Sequence, residues 1–425
     1  MSQADVDPRR LVVVGASLAG LRAVEAARKT GFTGEIVLIG AEDHLPYDRP
    51  PLSKAFLAAA DDSGELPEVP WFRTEETMRE ELGVDVRLGQ PATALDTEAR
   101  TVTVGDEQIP YDLLVIATGA HARLLPGAEG LDGVHPLRTL DDSLAVRDKL
   151  EAGARTVVIG AGFIGSELAS TARKRGLEAT IVEALPTPLV RATGHEMGAA
   201  IASLHELNGT TLRCGVGVAS IEGDGKVERV VLADGTTIEA DLVVVGIGVI
   251  PSVGWLEGSG LMIDSTIGGI VCDENLWTGV PGVYAAGDVA SWMNPTLGER
   301  QRMENWTAAA EQGAAAARNA LDPENAKAYG TVPYFWSDWY DVRIQFVGSP
   351  DADEVLLVDG DPAAGGRWVA LYRRGDRLIG ALTVNGQTEI MKYRVQIMKG
   401  GSWDDALAFA EKRRIAHAEK FAASV

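Results

Sequence analysis

The apolar residues in the front half of the chain fall in short unbroken runs rather than in alternation. Leu11-Val12-Val13-Val14 and Glu35-Ile36-Val37-Leu38-Ile39 are such runs, and so are Thr156-Val157-Val158-Ile159 and Ala179-Thr180-Ile181-Val182. A β-branched run of this length is what a parallel strand buried on both faces looks like. After the first run of each pair come a glycine-rich turn and about ten residues rich in Ala, Leu, Glu and Arg, closed by a glycine. That is a helix with glycine beyond its C-terminus. The pattern predicts strand–turn–helix–strand, twice. The two copies align without a gap at an offset of 145 residues, with Gly15 on Gly160, Gly20 on Gly165, Arg28-Lys29 on Arg173-Lys174 and Gly31 on Gly176. One duplication is too little for a solenoid and instead indicates two similar units. The second strand of each copy is expected to end at an acidic residue, Glu42 in the first and Glu183 in the second.

Further along, Val227 to Thr236 reads as a hairpin with an Asp-Gly turn. A linker near Leu321-Asp322-Pro323-Glu324 leads into a last region that alternates short apolar runs, such as Arg343-Ile344-Gln345-Phe346-Val347, with turns. It ends in a charged helical stretch from Trp403 to Phe421. The expected fold is α/β, with two Rossmann-like dinucleotide-binding domains plus a C-terminal α+β domain. The expected division is 1–119 and 246–327 for the first domain, 120–245 for the second, inserted in it, and 328–425 for the last.

Charge and composition narrow the function. The 425 residues carry 39 Lys and Arg against 61 Asp and Glu, a formal charge of −22. Such a surface repels nucleic acid and anionic lipid, which argues against both as partners. No apolar run reaches the ~18–20 residues of a membrane span. The start, Met1 to Asp7, is acidic and lacks the basic and apolar regions of a leader. Cys214 and Cys272 make neither a CxxC pair nor a disulfide framework. These features together read as a cytoplasmic protein. The six histidines show no metal-ligand spacing, so no metal is expected.

The two turns carry recognisable chemistry. In Gly160-x-Gly162-x-x-Gly165 the first glycine allows the tight turn, the second lets the backbone approach a pyrophosphate, and the third lets helix and strand pack closely. The helix N-terminus supplies free N–H groups to the anion. Phe163 and Ile164 complete this turn. The first copy, Gly15-x-Ser17-x-x-Gly20 with Ala19, departs at its middle position, where the Ser17 Cβ crowds a pyrophosphate while its hydroxyl offers a donor. Glu183 suits the 2′-hydroxyl of NADH and would repel a 2′-phosphate, although Arg191 lies eight residues on.

Two more segments are strands ending in turns, Tyr111 to Thr118-Gly119 and Gly282 to Gly287-Asp288. They resemble the recurrent signatures of flavoproteins with two dinucleotide-binding domains, which implies FAD on the first unit and NADH on the second, with Asp288 bonded to the flavin's ribityl chain. Where disulfide-reducing members of that architecture carry a reactive cysteine, this chain has Pro46-Tyr47-Asp48-Arg49-Pro50-Pro51-Leu52-Ser53-Lys54. With Phe335-Trp336-Ser337-Asp338, this segment resembles the NADH-dependent ferredoxin reductases that serve bacterial ring-hydroxylating dioxygenases and haem-thiolate monooxygenases. The similarity extends over nearly the whole chain through Gly160 to Glu167, Pro136 to Leu140, Gly246 to Pro251 and Glu304-Asn305-Trp306.

The resemblance implies FAD, NADH, a two-iron ferredoxin as electron acceptor and a downstream oxygenase. It implies that Lys54 sits beside the isoalloxazine and pairs with Glu167, and that Arg49, Ala92, Arg138, Asp288 and Trp306 line the flavin. Pro51, Thr118 and Gly119 join that set, and Gly248 joins the nicotinamide side. A fixed ammonium near the ring stabilises the charge that hydride transfer brings. Glu167 would steer the nicotinamide, and Trp336 would shield the ring, so Lys54, Glu167 and Trp336 are the candidates for the chemistry. Arg300, Arg302, Arg318, Arg343, Arg373, Arg374, Lys392, Arg394 and Lys399 make the rear half more cationic than the total charge suggests, as an acidic ferredoxin requires. An NADH oxidase or diaphorase, and an NADH-sensing flavoprotein of the apoptosis-inducing-factor type, are the other readings. Monomer and homodimer are both open.

Overall fold

The computed structural model describes residues 7, 9–127 and 130–422, with backbone alone for the last three of these. The acidic start, Met1 to Val6, on which the reading of a missing leader rests, lies outside the described residues. The described residues form two compact units, one within 1–48, 69–121 and 249–331, the other within 49–68, 122–248 and 332–425.

In the first unit the apolar runs form the predicted elements, β1 (Arg10–Val14), α1 (Leu18–Lys29) and β2 (Glu35–Ile39). They enter a five-stranded parallel sheet in the order Val283–Ala285, Leu113–Ile116, β1, β2, Val84–Arg87. Leu11, Val12 and Val13 are wholly buried, as a strand with both faces covered requires. Over this sheet α1 packs against an alanine-rich helix, Trp306–Leu321. The approach is close because the residues are small: a Cβ on Gly313 would lie 2.1 Å from the Ala19 carbonyl oxygen.

The second unit repeats the plan with β3 (Thr156–Ile159), α2 (Phe163–Lys174) and β4 (Ala179–Glu183). Its parallel sheet runs Thr211–Cys214, β4, β3, Leu242–Val245, Val134–Pro136. In each sheet the strand order reverses beside the first strand of the repeat. The carboxyl ends of the strands there are where ligands of open α/β sheets bind. The Asp-Gly hairpin is present, with Lys226–Leu232 antiparallel to Thr237–Glu239 and Gly235 at φ +83°.

The C-terminal part of this unit is a five-stranded antiparallel sheet that starts at β5 (Tyr334–Trp339) and is followed by helices Gln387–Met398 and Trp403–Ala422. Its inner face shares a core with α3 (His195–Leu207), where Ile201 and Leu204 meet Trp339 and Phe346.

The units group two segments differently from the sequence division. Residues 332–425 fall in the same compact unit as the inserted second domain, and so do residues 49–68, which the division assigned to the first domain. The second grouping has a visible cause. Ser143 Oγ donates to the Leu52 carbonyl (2.7 Å), Thr171 Oγ1 to that of Ser53 (3.1 Å), and Arg175 to that of Leu57 (3.1 Å). The Arg147 guanidinium lies 4.4 Å from the Phe56 ring centroid.

Candidate functional site

The first-unit turn is built by backbone contacts that exclude side chains. Gly15 has φ +119°, and a Cβ there would lie 2.1 Å from the Ala117 oxygen; a Cβ on Gly20 would lie 1.9 Å from the Gly15 oxygen. Ser17 is the N-cap of α1 in an extended conformation, and its hydroxyl does not cap the helix. Ala19 is buried, 3.2 Å from where a Cβ on Gly287 would stand. Thr118 Oγ1 donates to the Ser252 carbonyl (2.9 Å) and the Gly119 carbonyl accepts from Ser252 N–H (3.0 Å). Gly287 N–H donates to Gln312 Oε1 at 2.8 Å, beside the buried Asp288. Trp306 Nε1 donates to Asp48 Oδ1 (2.8 Å), and Ala92 begins the strand Ala92–Asp96.

Glu42 accepts from the Tyr47 hydroxyl but does not end β2, contrary to the sequence expectation. The registers show why. Val14 pairs with Ile39 as Ile159 pairs with Val182, so the residue equivalent to Glu183 is Gly40. A Cβ at Gly40 would lie 2.7 Å from that of Ala16, and the acidic residue is displaced two positions along.

In the second unit Gly160 (φ +104°) and Gly165 are as crowded as their counterparts, with Cβ positions 2.5 Å from the Gly246 oxygen and 2.4 Å from the Gly160 oxygen. Gly162 is different. Its φ is −79°, open to any residue, and a Cβ would meet nothing closer than 3.9 Å. Packing within the chain therefore does not explain a glycine at position 162, whereas close approach of a ligand does. Glu183 closes this loop: its Oε2 accepts from Ala161 N–H and its Oε1 from Leu185 N–H, both at 2.8 Å. Each oxygen keeps a lone pair for a ribose hydroxyl. Gly248, at φ +101°, also has open space where a Cβ would be. Ile164 is exposed, Phe163 lies against Phe335 with centroids 4.6 Å apart, and Arg191 stands exposed in the short turn Val190–Thr193.

Residues 49–54 supply the remaining candidates. Arg49 donates to the Arg138 carbonyl (2.7 Å), just before the capping box in which Thr139 and Asp142 cap the N-terminus of the next helix. Pro51 stands in the first turn of the 3-10 helix Pro50–Ser53, and Lys54 follows it. Lys54 Nζ is 2.8 Å from Glu167 Oε2 and 3.1 Å from the Pro50 carbonyl. Glu167, only 4% exposed, also accepts from the hydroxyls of Ser53 and Ser337.

The sequence reading missed Ser53 and Ser337 as functional residues. Both lie in quoted motifs, and Ser337 has a further signal: with period 2 along β5 it shares the inward face of Phe335 and Trp339. Trp336 points to the opposite face, stacked on Tyr334 at 5.9 Å.

Neither cysteine is poised as a nucleophile. Burial pushes both thiols up, and in Cys214 the Glu183 carboxylate adds to it. Several rear-half cations are already paired, Arg343 with Asp338, Arg373 with Glu354 and Arg374 with Asp351. Among the described residues no helix is long and apolar enough to cross a membrane.

The fold and these two turns define a class. Residues 9–313 match the family described as pyridine nucleotide-disulphide oxidoreductase and residues 334–417 match the reductase C-terminal domain; the chain belongs to this family. Within it, the chain is 36% identical over 388 residues to rhodocoxin reductase of Rhodococcus erythropolis, covering 90% of this chain and 88% of that one. It is 36% identical over 399 residues to the ferredoxin–NAD(+) reductase component of the anthranilate 1,2-dioxygenase system of Burkholderia cepacia, covering 92% and 95%. Putidaredoxin reductase, in its covalent complex with putidaredoxin, superposes with a TM-score of 0.86 at 31% identity over 96% of this chain and 99% of that one.

The residues fit the two nucleotides of this class. The open cradle over Gly162 suits a pyrophosphate. In the first unit, Gln312 Nε2 is a buried donor without a partner among the described residues, next to the Gly287–Asp288 turn.

Proposed function

We propose that the protein is an NADH-dependent FAD reductase that passes electrons singly to a two-iron ferredoxin serving an oxygenase or haem-thiolate monooxygenase. The observation that carries this reading is the ion pair of Lys54 and Glu167, closed by Ser53 and Ser337. It unites the three motifs on which the resemblance to ferredoxin reductases rests. The named activities of the relatives support the same reading.

FAD, when bound, supplies a centre that accepts a hydride and releases electrons one at a time. The protein's own part is binding, orientation and charge. Gly15, Ser17, Ala19, Gly20 and Glu42 receive the adenine half of FAD, with Thr118, Gly119, Gly287 and Asp288 along its length. The resemblance assigns Ala92, Trp306, Arg49, Pro51 and Arg138 to the flavin. Gly160, Gly162, Phe163, Ile164 and Gly165 receive the NADH pyrophosphate, Glu183 its ribose, and Gly248 and Arg191 border that site. Lys54 stabilises the negative charge that hydride transfer brings, and Glu167 fixes Lys54. Trp336 shields the reacting ring. With both thiols raised and no CxxC, no covalent step through sulfur is part of the reaction. The place of action is the cytoplasm.

An anaerobic NADH titration of the purified yellow protein, followed by mixing with two-iron ferredoxins, tests the reading. Bleaching by one equivalent of NADH and reoxidation on adding ferredoxin are expected. Rapid reoxidation by oxygen or quinone with none by any ferredoxin would establish the oxidase reading instead, and NADH-driven dimerisation with no turnover the sensing one.

A further inference from the structure

A lysine that acts through its charge is effective only where that charge is held still, and the structure shows what holds this one. Glu167 takes three donors. Ser53 Oγ and Lys54 Nζ bond to Oε2, and Ser337 Oγ bonds to Oε1. The Ser337 hydroxyl has no choice of direction. The indole N–H of Trp339, a donor only, lies 2.9 Å from Ser337 Oγ. The serine oxygen accepts there, and its single proton goes to Glu167.

Trp339 is itself locked. It is wholly buried and stacks on His205, with centroids 4.8 Å apart and planes 24° from parallel. Both His205 nitrogens are engaged, Nδ1 with the Tyr340 hydroxyl (2.8 Å) and Nε2 with Ser166 Oγ (3.1 Å). The Tyr340 hydroxyl in turn meets Thr210 Oγ1 at 2.7 Å, and its backbone N–H donates to Ser170 Oγ.

We propose that Ser337, oriented by Trp339, is a positioning residue for hydride transfer. By holding Oε1 of Glu167 it keeps Oε2 on Lys54 and the ammonium in place. Without that hydroxyl, Oε1 is a buried acceptor with no donor, and the carboxylate turns to find one. Lys54 then loses its fixed partner and is left with the Pro50 carbonyl. The proposal rests on the role given to Lys54 above.

The test uses the FAD-loaded protein and four variants, S337A, S337T, K54M and S337A/K54M. The readouts are the anaerobic rate of flavin reduction by NADH, the midpoint potential of the bound flavin, and thermal unfolding. S337A is expected to slow reduction about tenfold, as loss of one charge-assisted bond would. It should also shift the potential in the same direction as K54M, but by less. S337T, which keeps a hydroxyl, restores most of both. The double variant is no slower than K54M alone.

A wild-type rate and potential in S337A, alongside a slow K54M, would overturn the positioning role. An equal slowing by S337A in the K54M background would do the same, because it would show that Ser337 acts through packing. If K54M itself matches the wild type, the reading of Lys54 is what fails. A variant W339F, which keeps the ring and removes the N–H, is expected to slow reduction by less than S337A. An unchanged rate would remove Trp339 from the proposal.

Discussion

Glu183 Oε2 accepts a 2.8 Å hydrogen bond from the N–H of Ala161, so the acid at the end of β4 is tied to the glycine turn of residues 160–165. Its second oxygen is tied in the same way, to Leu185. The carboxylate is therefore preorganised, and a 2′-phosphate placed against it meets fixed negative charge. Glu183→Ala is expected to reduce kcat/KM for NADH about tenfold and to narrow the preference over NADPH. Steady-state kinetics with both nucleotides check this; an undiminished preference would remove Glu183 from the specificity device.

Lys54→Met should leave FAD bound at full stoichiometry and slow its reduction by NADH roughly a hundredfold. It also lowers stability, because Glu167 stays buried without its cation. Breaking such a pair costs about 3 kcal/mol. Stopped-flow absorbance and thermal unfolding measure the two effects separately. Fast reduction in a destabilised protein would show the pair to be structural only.

Two glycines differ in how closely the chain itself crowds them. Gly20→Ala pushes a Cβ to within 1.9 Å of a backbone oxygen. It is expected to yield a protein that holds little FAD and unfolds earlier. Gly162→Ala meets no atom of the chain closer than 3.9 Å. It should fold and bind FAD normally while its KM for NADH rises at least about tenfold. Equal affinity for NADH in G162A would mean that no phosphate approaches that backbone.

Burial pushes His205 down from 6.5 to about 4. Above pH 6.5 the histidine is neutral in both folded and unfolded chains and contributes no pH dependence. As the pH falls from 6.5 towards 4 the unfolded chain takes up a proton that the folded one refuses. Stability is lost across that window, by about 3 kcal/mol in all. Unfolding midpoints measured from pH 7 to pH 4.5 should fall steadily, and His205→Asn should flatten that slope. A wild-type curve already flat over this range would show that His205 titrates in the folded protein.

Transfer to an acidic ferredoxin should slow with salt, since rim charges act mainly on encounter and are screened. The effect is expected to be modest, because Arg343, Arg373 and Arg374 already face carboxylates of their own. Rates that rise or stay level from low to high ionic strength would contradict cationic steering.

Much of the fold was legible because its signals are local. The crowding that demands Gly20 comes from Gly15, five residues away, and the same contact recurs between Gly165 and Gly160. Runs such as Leu11 to Val14 announce doubly covered strands without reference to what covers them. Register was less legible. Glu42 looked like the partner of Glu183, but Gly40 holds that place because Ala16 leaves no room for a side chain.

The amino-acid order alone determined the two strand–turn–helix units, the absence of a CxxC pair and the family motifs, since each is carried by neighbouring residues and their backbone geometry. Only the tertiary structure decided that residues 49–57 are stapled to two helices of the second unit, and that Ser53 and Ser337 converge on one buried carboxylate. Serines are common, and nothing beside them in the chain marks which will be buried against an acid. That depends on contacts between segments over a hundred residues apart, and such contacts exist only once the core has formed around them.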